Sequence, residues 1–345
     1  MGREQTFETR RSKSRRLDWT VPLARGVERV ALMLVLLFAF GMQDARSQSC
    51  SISAASGSYG TVDILSGSSV DTTATFSVNC TGTNNKTVRL CVELSPGQTN
   101  TAGNRRLASG SDRLVHELYS DSSRTTVWGS WGLATTAYSL FPAGTTYDLN
   151  LGSSGSAGVT MTVYGRVFAN QTTSGPGSYS WTMTTAPAAG YDYKTGSTPA
   201  CPTGTRQTTS TGSAWTATIN ANCTVSASSV NFGSVGVLAS NADTTGSITV
   251  RCTNSTPYTI GLGAGSGSGA TVANRKMTSG ARTVTYSLYS DSARTTVWGN
   301  TIGTDTSAGT GSGLDQVYSV YARAPAQTTP APGAYSDTVV VTVTY

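Results

Sequence analysis

Six cysteines and a single histidine are the residues of this 345-residue chain most suited to chemistry. His116 is the histidine; Cys50, Cys80, Cys91, Cys201, Cys223 and Cys252 are the cysteines. A histidine works as a general base only beside a nucleophile and a group that orients it. His116 sits in "RLVHELYS", on the same alternating face as Leu114 and Leu118, which suits a packed histidine better than a base. No G-x-S-x-G, H-E-x-x-H or P-loop pattern occurs. Gly265–Ala270 loosely matches a dinucleotide loop, but that motif needs a helix next and "TVANRKMTSG" does not supply one. Asp121 and Asp291 each lack the neighbouring carboxylates of a tight calcium site. Zinc is excluded by spacing, since no C-x-x-C or paired histidine exists. The chain reads as non-enzymatic, with no cofactor and no metal.

The cysteines therefore read as disulfides of an exported protein. A duplication narrows their pairing. "LYSDSSRTTVWG" at 118–129 returns as "LYSDSARTTVWG" at 288–299, "NRRLASG" at 104–110 answers "NRKMTSG" at 274–280, and "VYGRVFANQTTSGPGSYS" at 163–180 answers "VYARAPAQTTPAPGAYS" at 320–336. Cys50 and Cys80 are 30 apart and Cys223 and Cys252 are 29 apart, at matching places. Each couple pairs within its own half, and Cys91 and Cys201 pair by elimination. The repeated motif holds no nucleophile, base and orienter. It reads as scaffold: a strand, an aspartate-held turn and a return strand over "TTVWG", with Tyr119 and Trp128, or Tyr289 and Trp298, meeting across the hairpin.

These elements must be strands. Both halves are rich in Ser, Thr, Gly, Val and Tyr, with period-two alternation and frequent turn residues. Ala74, Phe76 and Val78 share a face, as do Ile248 and Val250, and Val284, Tyr286 and Leu288. At the end, Val339, Val341, Val343 and Tyr345 share one face of "SDTVVVTVTY". The expected fold is all-β, a pair of tandem β-sandwiches.

Residues 1–47 are expected to be a signal peptide. A basic lead precedes the apolar run Val30–Phe40 and small residues at Ala45 and Ser47. The run is about half the ~20 residues a spanning helix needs, so no permanent membrane anchor is expected. Without this segment the chain keeps 15 basic and 13 acidic residues, and no basic patch with interleaved aromatics points to nucleic acid. The expected domains are 48–222 and 223–345.

The landmark residues resemble a known family. A cysteine opens each half ("CTVSASSVNFGSV" in the second), another follows near 30 residues on, "LYSD…R…WG" lies between, and the chain ends on "YARAPAQTTPAPGAYSDTVVVTVTY". This pattern resembles the spore coat U domain, the subunit fold of archaic chaperone–usher pili. The second half matches from Cys223 to Tyr345, and the first from Cys50 to about Thr184.

The resemblance implies immunoglobulin-like sandwiches that lack one strand. A periplasmic chaperone lends a strand, and at the outer-membrane usher a neighbouring pilin's donor strand replaces it, which is β-augmentation. It places strand pairing along Val339, Val341, Val343 and Tyr345. It also implies export through the periplasm to a cell-surface fimbrium. An ordinary pilin carries a free extension before its first cysteine, whereas cleavage near Gln48 would leave almost none before Cys50. "GSAWTATINANC" stands where such a donor precedes the second domain. Its strand near 213–220, with Trp215, Ala217 and Ile219 on one face, is expected to complete the first domain in cis. A subunit that accepts a donor and gives none is a pilus tip adhesin, mediating surface attachment and biofilm formation. The alternative is a tandem coat or matrix protein without a specific ligand. Target contact is expected where the first half becomes apolar: Trp131, Leu133, Leu140, Phe141 and Pro142, with Tyr191 and Tyr193 added later. The target would be a hydrophobic surface or a glycan. Core filling by Trp131 and Phe141 is the competing reading of that loop.

Overall fold

The structure, a computed structural model, describes residues 48–94, 104–129, 144–182, 189–195, 205–209 and 213–345. The expected signal peptide, Trp131, Leu133, Leu140, Phe141, Pro142 and Cys201 lie outside these residues. Every regular element described is a β-strand.

In the first half the strands are β1 (Ser49–Ile52), β2 (Gly57–Thr61), β3 (Val70–Thr81), β4 (Thr87–Leu94), β5 (Arg105–Ser109), β6 (Asp112–Tyr119), β7 (Thr145–Asn150), β8 (Ser156–Val167), β9 (Gly177–Thr182), β10 (Ala189–Thr195), β11 (Thr205–Thr209) and β12 (Ala214–Ile219). They form one sheet in the order β1-β3-β8-β6-β5-β9-β12-β2 and a second in the order β11-β10-β4-β7. In the second half β13 (Cys223–Ala227), β14 (Ala242–Cys252), β15 (Pro257–Leu262), β16 (Arg275–Ser279), β17 (Arg282–Tyr289), β18 (Ser307–Thr310), β19 (Gln316–Ala324) and β20 (Val341–Thr344) follow. Their sheets run β13-β14-β19-β17-β16 and β18-β15-β20. The fold is two tandem β-sandwiches.

Alternation fixes which faces meet. Ala74, Phe76 and Val78 of β3 are buried, as are Ile248 and Val250 of β14. Two separate clusters of buried side chains result, one from residues 50–219 and one built around Leu238–Ala324. The Cys50–Cys80 and Cys223–Cys252 disulfides join the first strand of each half to its neighbour, directly across the ladder. Cys91 is also disulfide-bonded.

The repeated stretch makes a short hairpin, with the Ser120 amide donating to the Thr126 carbonyl and the Trp128 amide to that of Leu118. Among the described residues no return strand forms over "TTVWG". A single bridge pairs Tyr119 with Val127, and another pairs Tyr289 with Val297. The tryptophans turn inward instead. Trp128 packs against Phe76 with ring centroids 5.5 Å apart, and its indole N–H donates to the Val92 carbonyl at 3.2 Å. Trp298 repeats this on Ile260 at 2.9 Å. A large side chain with one polar tip is best used by burying the ring and satisfying the N–H, which pins the turn to the opposite sheet. Asp121 accepts hydrogen bonds from the Thr125 and Thr126 amides, and these hold its carboxyl at about 2. Asp291 makes the same bonds. Arg124 and Arg294 adopt positive φ at the turn and lie over Tyr164 and Tyr321.

Each half also buries a cation that no chemistry-bearing motif of the sequence marks. Arg275 donates to the carbonyls of Leu262, Gly263, Val272 and Trp298. Arg105 donates to Leu94 and Trp128 in the same way and is paired with Glu117. A buried charge needs this degree of satisfaction. "NRR" and "NRK" therefore mark the position where the two sheets are tied together.

Candidate functional site

The two halves differ most where β12 lies. Trp215, Ala217 and Ile219 alternate with Thr216 and Thr218, and the first three are buried. Strand β12 runs antiparallel to β9, with Trp215 opposite Trp181, Ala217 opposite Tyr179 and Ile219 opposite Gly177. On its other side it runs parallel to β2, with Trp215 opposite Gly57 and Thr216 opposite Ser58. The Val62 amide donates to the Thr218 carbonyl at 2.8 Å. Both edges of β12 are thus used, and its apolar face closes the core.

Gly57 and Gly165 make room for the Trp215 ring. A Cβ on Gly57 would stand 2.5 Å from that ring and one on Gly165 would stand 2.7 Å away, both well inside van der Waals contact. Around Trp215 cluster Tyr59, His116 and Trp181. His116 is fully buried, and its Nδ1 lies 3.0 Å from the Tyr59 hydroxyl. Burial first, and the Arg105 charge second, hold its pKa well below the ordinary 6.5. The imidazole packs among these rings, where its charged form is disfavoured.

Among the described residues, the second half has the equivalent segments and no strand between them. The duplication maps Gly57–Leu65 onto Val230–Leu238 and Gly177–Thr182 onto Gly333–Thr338. Among the described residues, 229–237 make no backbone–backbone hydrogen bond, and 333–337 make only the Thr278–Ser336 pair. Val62 is 3% exposed and Ile64 is 5% exposed, whereas their counterparts Val235 and Val237 are 43% and 75% exposed. Between these walls runs an apolar groove. One stretch of about 410 Å³ is lined by Val230, Ile248, Tyr286, Val320 and Asp337. A wider stretch of about 790 Å³ is lined by Phe232, Leu238, Met277, Val284 and Ala324. The Tyr286 hydroxyl donates to Asp337 at 2.8 Å, and Asp337 also accepts from the Ser266 amide at 2.7 Å.

The terminal valines flank this groove. Val339 and Val341 line its narrower stretch, while Val341 and Val343 pair through β20 with Leu262 and Ile260 of β15. Tyr345 is 55% exposed. Tyr191 and Tyr193 fall on β10, between β4 and β11. Among the described residues no group of His, Cys, Asp and Glu could hold a metal. The glycine pair and the buried arginines escaped sequence reasoning. An alignment of the halves finds the former, at Gly57 against Val230 and Gly165 against Ala322.

The Spore Coat Protein U domain model matches residues 36–186 and again residues 208–342. The chain belongs to the spore coat U domain family. Protein U of Myxococcus xanthus is 40% identical over 107 residues, which span 29% of this chain and 59% of that protein. This chain therefore spans less than two thirds of the relative's length. Among solved structures, the CsuC–CsuE chaperone–tip adhesion subunit pre-assembly complex from archaic chaperone–usher Csu pili of Acinetobacter baumannii is similar, at 18% identity and a TM-score of 0.46 over 86% of this chain and 100% of that one. The CupB6 tip adhesin from Pseudomonas aeruginosa aligns at 13% identity with a TM-score of 0.37, covering 85% and 93%.

The buried histidine gives the first spore coat U domain a pH dependence that the second lacks. Unfolding lets His116 take up a proton below about 6.5, so the unfolded state binds more protons than the folded one there. Stability then falls with falling pH by up to about 1.4 kcal/mol per unit. Melting His116→Phe and the parent chain between pH 7.5 and 5 should show this. The variant starts lower, having left the Tyr59 hydroxyl without its partner, but the gap should narrow as pH falls. A constant gap would mean that His116 is protonated in the fold.

Proposed function

We propose that this protein is a non-enzymatic subunit of a chaperone–usher pilus, that its second domain accepts a donor strand, and that it stands at the fibre tip. The observation that carries this reading is the groove between residues 229–237 and 333–338, at the place where the first domain holds β12. An open edge flanked by exposed valines is an aggregation hazard that native proteins cover. An extended segment entering there would gain backbone pairing on both sides and bury Val235 and Val237. A periplasmic chaperone would cover it before assembly, and a neighbouring pilin's donor strand afterwards, delivered at the outer-membrane usher.

Tip placement is supported by the use made of β12. In a fibre subunit the segment ahead of a pilin domain is given to another subunit. Here that segment lies inside the first domain, tethered to it and to Cys223, so intramolecular pairing has a large advantage in effective concentration. Target contact is assigned to Trp131, Leu133, Leu140, Phe141 and Pro142, with Tyr191 and Tyr193. The support is the contrast with the second half, which is polar and glycine-rich after the same turn ("NTIGTDTSAGTGSGLDQ").

Assembly is tested by grafting a strand in cis. A flexible linker and a pilin donor segment added after Tyr345 should raise the melting temperature of the second domain alone. It should also convert a chain that aggregates into a stable monomer. An unchanged melting temperature and solubility would remove the donor-accepting role. Adhesion is tested by Trp131→Ser with Phe141→Ser. Attachment to abiotic surfaces and glycans should be lost while the melting temperature stays nearly constant. If these rings fill the core, each truncation costs about 3–5 kcal/mol, and adhesion falls only in proportion to folded protein.

A further inference from the structure

The two domains present homologous grooves, but not to the same strand. We propose that the second domain's groove selects a donor with a small side chain at its first position and larger aliphatic ones beyond it. The chain's own β12 is thereby excluded. This rests on the donor-accepting reading above and adds which donor is taken.

The filled groove supplies the template. In the first domain Trp215 enters where Gly57 and Gly165 carry no side chain, and a Cβ on either would fall within 2.7 Å of its ring. The duplication puts Val230 and Ala322 at those two positions. Val230 lines both stretches of the groove, and Ala322 is fully buried behind that lining. An indole in the same register would meet the Val230 side chain where the first domain offers only the Gly57 backbone. The wall opposite changes as well. Trp181, across the ladder from Trp215, is replaced by Asp337, and His116 by Tyr286, which bonds that carboxylate. One of the two rings thus gives way to a carboxylate, and the other, Tyr286, is held by it. Farther along, Val167 is replaced by Ala324 and Leu114 by Val284, both smaller, and here the groove widens to about 790 Å³. The size order is the reverse of β12's, whose largest side chain comes first.

Such selectivity has a purpose that the sequence makes plain. The segment 213–222 lies directly before the second domain. Without a filter, the β12 of one copy could enter the second domain of another, joining chains head to tail in an open filament. Rejecting tryptophan at the first position prevents this, by steric exclusion rather than by weaker attraction.

Two fluorescent peptides test the proposal on the chain from Gln48 onward: Ser213–Asn222 as it stands, and the same peptide with Trp215→Ala and Ala217→Leu. Anisotropy gives affinity, and hydrogen exchange at 229–237 against 57–61 shows which groove is filled. The altered peptide should bind the second domain at least about tenfold more tightly, the scale expected for removing an overpacked ring. With Val230→Gly and Ala322→Gly in the chain, the unaltered peptide should gain most of that difference. Equal affinities for the unaltered chain would overturn the selectivity and leave the strand-accepting reading in place. Binding of neither peptide, with no protection at 229–237, would overturn both. The peptide comparison needs no variant to fold, so it stands even if the double glycine chain does not.

Discussion

A β-sandwich with one strand absent carries two costs that no rearrangement of its own side chains removes. A row of backbone amides and carbonyls lacks partners, and an apolar cleft opens to water. Everything distinctive in this protein follows from how each half meets that constraint. The first half meets it with β12, whose edges are both paired and whose Trp215 fills the space above Gly57 and Gly165. The second half, among the described residues, has no such strand. Phe232 is partly covered, and Val235 and Val237 face solvent. On the reading proposed above, the same fold is closed once and open once within a single chain.

What the halves share is equally informative. The buried arginines, the inward tryptophans and the aspartate-held turns occupy equivalent places in both. None of them lies on the groove. They tie the two sheets together in both halves, with Arg105 across the ladder from His116 and Arg275 across it from Tyr286.

Much of this was legible in the sequence, for identifiable reasons. Period-two alternation revealed the strands because each buries one face, and this located Ala74, Phe76, Val78, Ile248 and Val250 in the core. The duplication gave the Cys50–Cys80 and Cys223–Cys252 bridges, since equal spacing in two copies is a strong constraint on pairing. The alternation of Trp215, Ala217 and Ile219 was visible for the same reason. The turn was less legible. "TTVWG" has strand composition, yet the tryptophan gains more by crossing to the other sheet than by extending a hairpin, and composition does not encode that choice. Arg105 and Arg275 were missed because an arginine following an asparagine and followed by another basic residue looks like surface. Only the three-dimensional convergence of carbonyls makes it a core residue. The specificity of the groove was hidden because it resides in absent atoms, the missing side chains of Gly57 and Gly165.

The central claim is that one chain holds a closed and an open copy of the same groove. Residue-resolved hydrogen exchange on the chain from Gln48 onward measures this directly. The account predicts strong protection of the amides at 57–61, 177–182 and 214–219. At the equivalent positions 230–234 and 333–338 it predicts exchange near the unprotected rate, apart from Ser336, which pairs with Thr278. Comparable protection at 230–234 in the isolated monomer would mean that the second domain is already complete, and would contradict the account.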